Sequence, residues 1–454
     1  MDKPTPSAAD TNQPSTSEPS RRRFIKGSGA LLAGGAIAAN NLSVARGAHA
    51  YGSDLIKVGL VGCGGRGRGA TIQALNTDGG ETRVVAMADA FDYQLEDALR
   101  TVKGEHPDKV DVPKERQFTG LEAYRGVMES DCDLVILATP PGFRPLHFDA
   151  AINAGKHVFM EKPVATDVAG VQRVLEVNKL AKEKGLAVAV GLQRHHEDRY
   201  RETVQRLHDG EIGDIISARC YWNGGGVWVR PRKPEQSELA YQTFNWYYFN
   251  WLCGDHINEQ HIHNLDVINW VMQGYPIEAQ GQGGREVRTG PDTGQIFDHH
   301  MVEFTYDGAH KPKMFSQCRH IRGCWNNVSE HVAGTKGYCD VSGGKIYDNN
   351  GKLIFQSKGG GGGHQEEHHD LFAALRAGEI PNEGEYGAKS TMTAILGRMA
   401  TYSGKVVKWE DAMNSNQSLA DFDSLKSFDQ QAPVQPDDNG QYPVPVPGKY
   451  KPFA

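Results

Sequence analysis

Along this chain, short apolar runs ending in glycine or proline alternate with amphipathic stretches as far as about residue 193. Residues 55–62 (LIKVGLVG) form a β-branched apolar run closed by glycine, the pattern of a strand buried on both faces of a parallel sheet. The same pattern predicts strands over 83–89, 134–139, 157–160 and 186–192. Helices are predicted between them, over 70–75, 95–102, 148–154 and 168–184, the last two closed by Gly155 and Gly185. Strands alternating with helices predict an α/β fold built on a doubly wound parallel sheet, spanning 55–193.

From residue 194 the pattern changes. Strand-like runs near 215–222, 277–287, 301–306, 313–320, 331–341 and 345–355 follow one another, separated by turn clusters such as Asp307-Gly308 and Asn349-Asn350-Gly351. Helices are expected over 199–207, 256–272 and 391–402, and a flexible loop over 359–363. Successive strands with turns between them predict a second α/β domain over 194–410, with an open, mostly antiparallel sheet. The Pro-rich stretch 411–454 is expected to lie extended over the surface.

Composition narrows the class. With 454 residues, 39% hydrophobic and 23% charged, the chain can bury sizeable cores and is not disordered as a whole. A mean hydropathy of −0.53 excludes a multi-span transporter. A net charge of −7 argues against a general nucleic-acid binder. The seven cysteines form no C-x-x-C pair, so a disulfide framework or zinc site is not indicated.

The first fifty residues read as an address. A polar Ser/Thr/Pro stretch precedes Ser20-Arg21-Arg22-Arg23-Phe24-Ile25-Lys26, then a weakly apolar Gly/Ala/Leu run, then Ala48-His49-Ala50 with small residues at cleavage-site positions. This resembles a twin-arginine export signal, which implies the translocation machinery as a partner, a periplasmic or otherwise exported location, and no membrane span in the mature form.

Gly62-Cys63-Gly64-Gly65-Arg66-Gly67 is a G-x-G-x-x-G that follows a predicted strand, opens a helix and is followed by a strand ending in Asp89. That context makes it a dinucleotide site: tight turn at Gly62, close backbone approach at Gly64, helix–strand packing at Gly67, phosphates on the helix N-terminus. A carboxylate at Asp89 suits ribose hydroxyls and repels a 2′-phosphate, favouring NAD; Arg66 and Arg68 keep NADP open.

Beyond this motif, VGLVGCGGRG (58–67), ATPP (138–141), AGKHVFMEKP (154–163) and HIHNLD (261–266) resemble the glucose–fructose oxidoreductase/inositol dehydrogenase (Gfo/Idh/MocA) family. The resemblance implies a Rossmann domain followed by an open-sheet domain, and hydride transfer between a nicotinamide cofactor and a sugar or polyol. It implies cofactor contacts from Gly65, Arg66, Thr139, Pro140, Glu161 and Lys162. It places Lys162 beside the reacting oxygen and makes His263 the general acid/base, with Glu259 where relatives carry Asp. Arg144 stands where many relatives have histidine.

A helix over 256–272 would put His256, Glu259 and His263 on one face. Arg194 and His195, at the end of the last Rossmann strand, His256, and the aromatic-rich 244–251 with Trp246 are candidate substrate groups. The histidines also raise a metal reading, with His364 and His368 at i, i+4, but no H-E-x-x-H is present and no metal is assigned. Three functions remain open at this level. They are an exported oxidoreductase with retained cofactor, a redox-neutral glycosidase or lyase working by transient oxidation, and a non-catalytic binding protein. A homo-oligomer through the open sheet is expected.

Overall fold

In a computed structural model, residues 55–453 are described. The predicted α/β fold is present. The first sheet has six parallel strands: β1 (Ile56–Val61), β2 (Thr82–Asp89), β3 (Gln117–Thr119), β4 (Leu134–Leu137), β5 (His157–Met160) and β6 (Val188–Val190). Their order is β3-β2-β1-β4-β5-β6, which reverses direction at β1 and opens a crevice above the carboxyl ends of β1 and β4. Helices α1 (Gly65–Leu75), α2 (Asp92–Glu105), α3 (Tyr124–Glu129), α4 (Arg144–Asn153) and α5 (Val168–Glu183) connect the strands. β1 and β4 read as apolar runs because both faces are covered; Val58, Leu60, Leu134 and Ile136 have no exposure.

The second sheet follows α6 (Asp198–His208). It has nine strands: β7 (Ile215–Gly224), β8 (Pro276–Gly284), β9 (His299–Tyr306), β10 (Lys313–His320), β11 (Asn327–Gly334), β12 (Gly337–Asp340), β13 (Lys345–Asp348), β14 (Leu353–Gln356) and β15 (Val407–Lys408). Only β7 and β10, at its centre, pair in parallel; every other pair is antiparallel. The predicted runs 331–341 and 345–355 each contain two strands, because turns at Thr335-Lys336 and at Asp348–Lys352 fold each run back on itself.

Between β7 and β8 lie α7 (Glu238–Phe244), α8 (Asn250–Cys253), α9 (His256–Glu259) and α10 (Ile262–Met272). After the second sheet come α11 (Gly363–Arg376), α12 (Gly384–Ser403) and α13 (Trp409–Met413). Helix α12 is longer than the predicted 391–402. Its glycines disguise it in the sequence, but they are packing sites: a Cβ on Gly387 would meet Val190 and one on Gly397 would meet Phe304. Among the described residues all seven cysteines are free, and only Cys324 is exposed. No described helix is long and apolar enough to cross a membrane. The export-signal pattern lies outside the described residues.

Candidate cofactor and catalytic site

The glycine turn is dictated by space. Gly62 has φ +97°, and a Cβ there would lie 2.6 Å from the backbone of Ala138 and Thr139. A Cβ on Gly67 would lie 1.9 Å from the Gly62 carbonyl oxygen, so α1 can pack on β1 only with glycine at that position. Gly64 and Gly65, in contrast, face open space. Helix α1 therefore begins on Gly65 with no side-chain cap and no acidic residue in its first turn. Its free N–H groups and positive dipole end are open to an anion.

Asp89, at the end of β2, accepts hydrogen bonds from Cys63 N (2.7 Å) and Phe91 N (2.9 Å). Burial pushes its carboxyl above the usual range, and those backbone donors oppose the rise. A cavity of about 300 Å³ lies above these groups, lined by Gly62, Gly64, Gly65, Asp89, Thr139 and Pro140, with Arg66 at its edge. An uncapped helix start, a glycine floor without side chains and a carboxylate at the rim fit a dinucleotide.

Arg66 is turned to other work. Its guanidinium is ion-paired with Glu161 and, at 3.2 Å, with Glu367 of α11, and it donates to Gln73 (2.9 Å). Burial alone would push the Glu161 carboxyl up; Arg66, then Lys162 and Arg144, hold it below the usual range. Glu161 thus acts on the cofactor loop through Arg66. Arg68 is ion-paired with Asp97. Neither arginine is a free receptor for a 2′-phosphate. Arg144 is buried and donates to the carbonyls of Thr139 and Pro163, stapling the loop after β4 to the loop carrying Lys162. Thr139 Oγ1 in turn bonds His147 Nδ1 at 3.1 Å.

The predicted continuous helix over 256–272 is broken between Glu259 and Ile262. Side chains tie the break to β10: Gln260 Oε1 accepts from His320 Nε2 (2.8 Å), and His261 Nε2 bonds Ser316 Oγ (2.7 Å). His263 N consequently bonds the Gln260 carbonyl (3.4 Å) instead of that of Glu259. The freed Glu259 carbonyl accepts from Lys162 Nζ at 2.6 Å, and Glu259 Oε1 lies 3.3 Å from the same ammonium. Lys162 and Glu259 are thus brought together, through the backbone as well as the carboxylate.

His263 is buried, its ring stacked on Trp222 at 5.8 Å, and its Nδ1 has no hydrogen-bond partner. Burial, then the positive charges of Lys162 and Arg194, push its pKa well below the usual histidine range. It is a neutral imidazole with a buried, unpartnered nitrogen, within reach of the Lys162 charge. Tyr247, within the aromatic-rich 244–251 but not singled out there, is also buried. Burial first, and the Glu259 charge second, push the Tyr247 hydroxyl well above its usual range. Among the described residues, Lys162, Glu259 and His263 lie outside the lining of the 300 Å³ cavity, which belongs to the glycine-loop and Asp89 side of the crevice.

The candidate substrate groups separate. Trp246 lines the cavity. Arg194 is spent on a buried ion pair with Glu330, which also accepts from Asn264 and Tyr200. His195 bonds Asp266 at 2.8 Å and stacks between Trp270 and Tyr386. His256 has no exposure and bonds Asp255 at 2.8 Å, packed against His300 and His320. The break at Gln260-His261 is why His256 does not share a face with His263. Asp255, His256 and His300 hold ligand-capable atoms within 4.8 Å of one another. Asp255 already accepts from His256 N (2.5 Å), Phe297 N (2.9 Å) and Tyr402 OH (2.5 Å), so the cluster is built as a hydrogen-bonded buried carboxylate.

Residues 56–192 match the model of the GFO_IDH_MocA family, described as an oxidoreductase family with an NAD-binding Rossmann fold. Inositol 2-dehydrogenase 3 of Saccharopolyspora erythraea is 31% identical over 151 residues, covering 33% of this chain and 38% of that protein. Glycosyl hydrolase family 109 protein 1 of a Shewanella species is 25% identical over 269 residues, covering 56% and 55%. The chain thus spans little more than half the length of these curated relatives at most. Among solved structures, levoglucosan dehydrogenase in complex with NADH superposes with a TM-score of 0.62 at 16% identity, covering 78% of this chain and 99% of that one. Over residues 56–192, therefore, the chain is similar to the NAD-binding Rossmann fold of the Gfo/Idh/MocA oxidoreductase family.

Proposed function

We propose that this protein is an exported NAD-dependent oxidoreductase that moves a hydride between a tightly held nicotinamide cofactor and a carbinol carbon of a sugar, polyol or sugar derivative. The observation that carries this reading is the Lys162 ammonium held by the Glu259 carbonyl and carboxylate beside the neutral His263. Bound NAD supplies the hydride acceptor; the chain's own groups manage the proton and the oxygen. As the C–H bond breaks, the hydroxyl proton passes to the neutral His263 imidazole, and the carbon–oxygen bond becomes a carbonyl. The Lys162 ammonium stabilises the charge that develops on that oxygen. Glu259 keeps the ammonium in place. The relatives named inositol 2-dehydrogenase and levoglucosan dehydrogenase support a carbohydrate-like substrate.

Denaturing the purified protein and identifying the released nucleotide tests this reading. NAD is the expected species; a protein that neither carries nor binds it would overturn the proposal. A second reading, redox-neutral glycoside cleavage by transient oxidation, is favoured by the likeness to a family 109 glycosyl hydrolase. Cleavage of a chromogenic glycoside without added cofactor would move it to first place. Export rests on the arginine-rich pattern at 20–26, and replacing Arg21, Arg22 and Arg23 by lysine should keep the protein in the cytoplasm. Association of two or more copies rests on the open face of the second sheet. Met301, Phe315 and Tyr338 share that face by register and are exposed; light scattering decides it.

A further inference from the structure

One side of the cofactor cavity is not made by the Rossmann domain. Trp228, Arg230, Thr243 and Trp246, from residues 225–246 of the second domain, line it together with Asp89, Phe91 and the Gly120-Leu121 turn. The G-x-G-x-x-G pattern carries no trace of this wall.

The segment is rigidly supported. The Arg230 guanidinium lies over Trp228, 3.9 Å from the ring centroid, and 5.0 Å from the Phe244 centroid. Its Nη1 donates to the Phe244 carbonyl (2.7 Å), and its backbone N donates to Asn245 Oδ1 (3.0 Å). Asn245 is itself fixed to the Asp292 carbonyl (2.8 Å). Burial lowers the Arg230 pKa, while Tyr93 and Asp89 act to raise it, which places its charge within range of the Asp89 carboxylate.

The C-terminal segment pins this wall from outside. Ser237 Oγ donates to the Phe428 carbonyl (2.5 Å), Gln242 Nε2 to the Val434 carbonyl (2.6 Å), and Tyr442 OH to Glu238 (2.6 Å). The Phe428 ring stacks on Phe91, at 5.2 Å and 15°. Phe91 directly follows the Asp89 turn and also meets Phe244 edge-on at 6.3 Å. The tail therefore joins the Rossmann rim to the second-domain wall across one end of the cavity, the end marked by Asp89.

We propose that Trp228 and Arg230 are the second domain's contact to the adenosine end of NAD, and that the tail, through Phe428, latches this wall so that the cofactor leaves slowly. An aromatic ring with a guanidinium 3.9 Å from its centroid offers an apolar, cationic contact suited to an adenine ring and the adjoining ribose phosphate. The inference deepens the proposed oxidoreductase reading and rests on it.

The test is the release rate of NADH from the full-length protein. Complexes loaded with NADH are chased with excess NAD, and the loss of bound nicotinamide fluorescence is followed. Trp228→Ala and Arg230→Ala should each speed release about tenfold or more. Trp228→Phe, which keeps an aromatic face, should stay within about threefold of the unaltered protein. Phe428→Ala, which leaves the cavity lining intact, should speed release several-fold. Equal rates in the unaltered protein and all four variants would overturn this inference while leaving the oxidoreductase reading standing. An unaltered protein that binds no NADH would overturn both.

Discussion

His263 and His256 lie on either side of one helix break, and both are buried imidazoles driven toward the neutral form. Their surroundings give them opposite tasks. His256 turns Nδ1 to Asp255 and packs among His300 and His320; burial brings its pKa down to about 4 even with that carboxylate beside it. His263 is acted on chiefly by burial and by the positive charges of Lys162 and Arg194, and its Nδ1 has no partner. Burial alone does not mark a functional histidine. The neighbouring charges do, since the Nε2 of His256 is as unpartnered as the Nδ1 of His263.

The sharpest way to break this comparison is to remove the ammonium. Lys162→Ala should lower hydride transfer by about 10³-fold or more while NAD affinity changes by only a few-fold, because Lys162 lies outside the cavity lining. Steady-state kinetics beside a binding titration check it. His263→Asn should lower kcat about 10²-fold with little change in melting temperature, and should flatten the pH–rate profile. Asp255→Asn should do the reverse. It strips the charge that His256, His300 and Tyr402 enclose and costs about 2–3 kcal/mol of stability, leaving the turnover of the folded fraction near normal. Denaturant melts beside kcat separate the two.

A smaller effect comes from pH. His147, His256 and His261 are held by burial at about 3, 4 and 3, below their ordinary value near 6.5. The unfolded chain therefore binds protons that the folded chain refuses as pH falls through about 6.5. Stability present above that value is lost below it. The melting temperature should drop by several degrees between about pH 7 and pH 5, and His256→Asn should lessen the drop.

The contrast also explains what the sequence could reveal. The turn from β1 through α1 to Asp89 was legible because its chemistry is contiguous: each glycine answers a clash or an opening within one strand–turn–helix unit. Lys162 was legible through its Glu-Lys-Pro neighbours. What could not be read depended on contacts between distant segments. The helix break is made by Ser316 and His320 on β10, so periodicity over 256–272 shows a continuous helix. Helix α11 was hidden behind a five-glycine loop, and Glu367 on it takes Arg66 from 301 residues away. Trp228, still exposed on one side, and Arg230 carry no sequence sign that the fold brings them to the cavity that Asp89 lines. Tyr247 was lost among its aromatic neighbours, and its burial within reach of the Glu259 charge sets it apart.

The most direct test of the central claim is a titration of the NAD-loaded protein with polyols and sugars, following the near-ultraviolet absorbance of reduced nicotinamide, in the unaltered chain and in Lys162→Ala. The predicted result is reduction of the bound cofactor by at least one carbohydrate in the unaltered protein and none in the variant, with NAD bound to both. Equal reduction in both proteins would contradict the account.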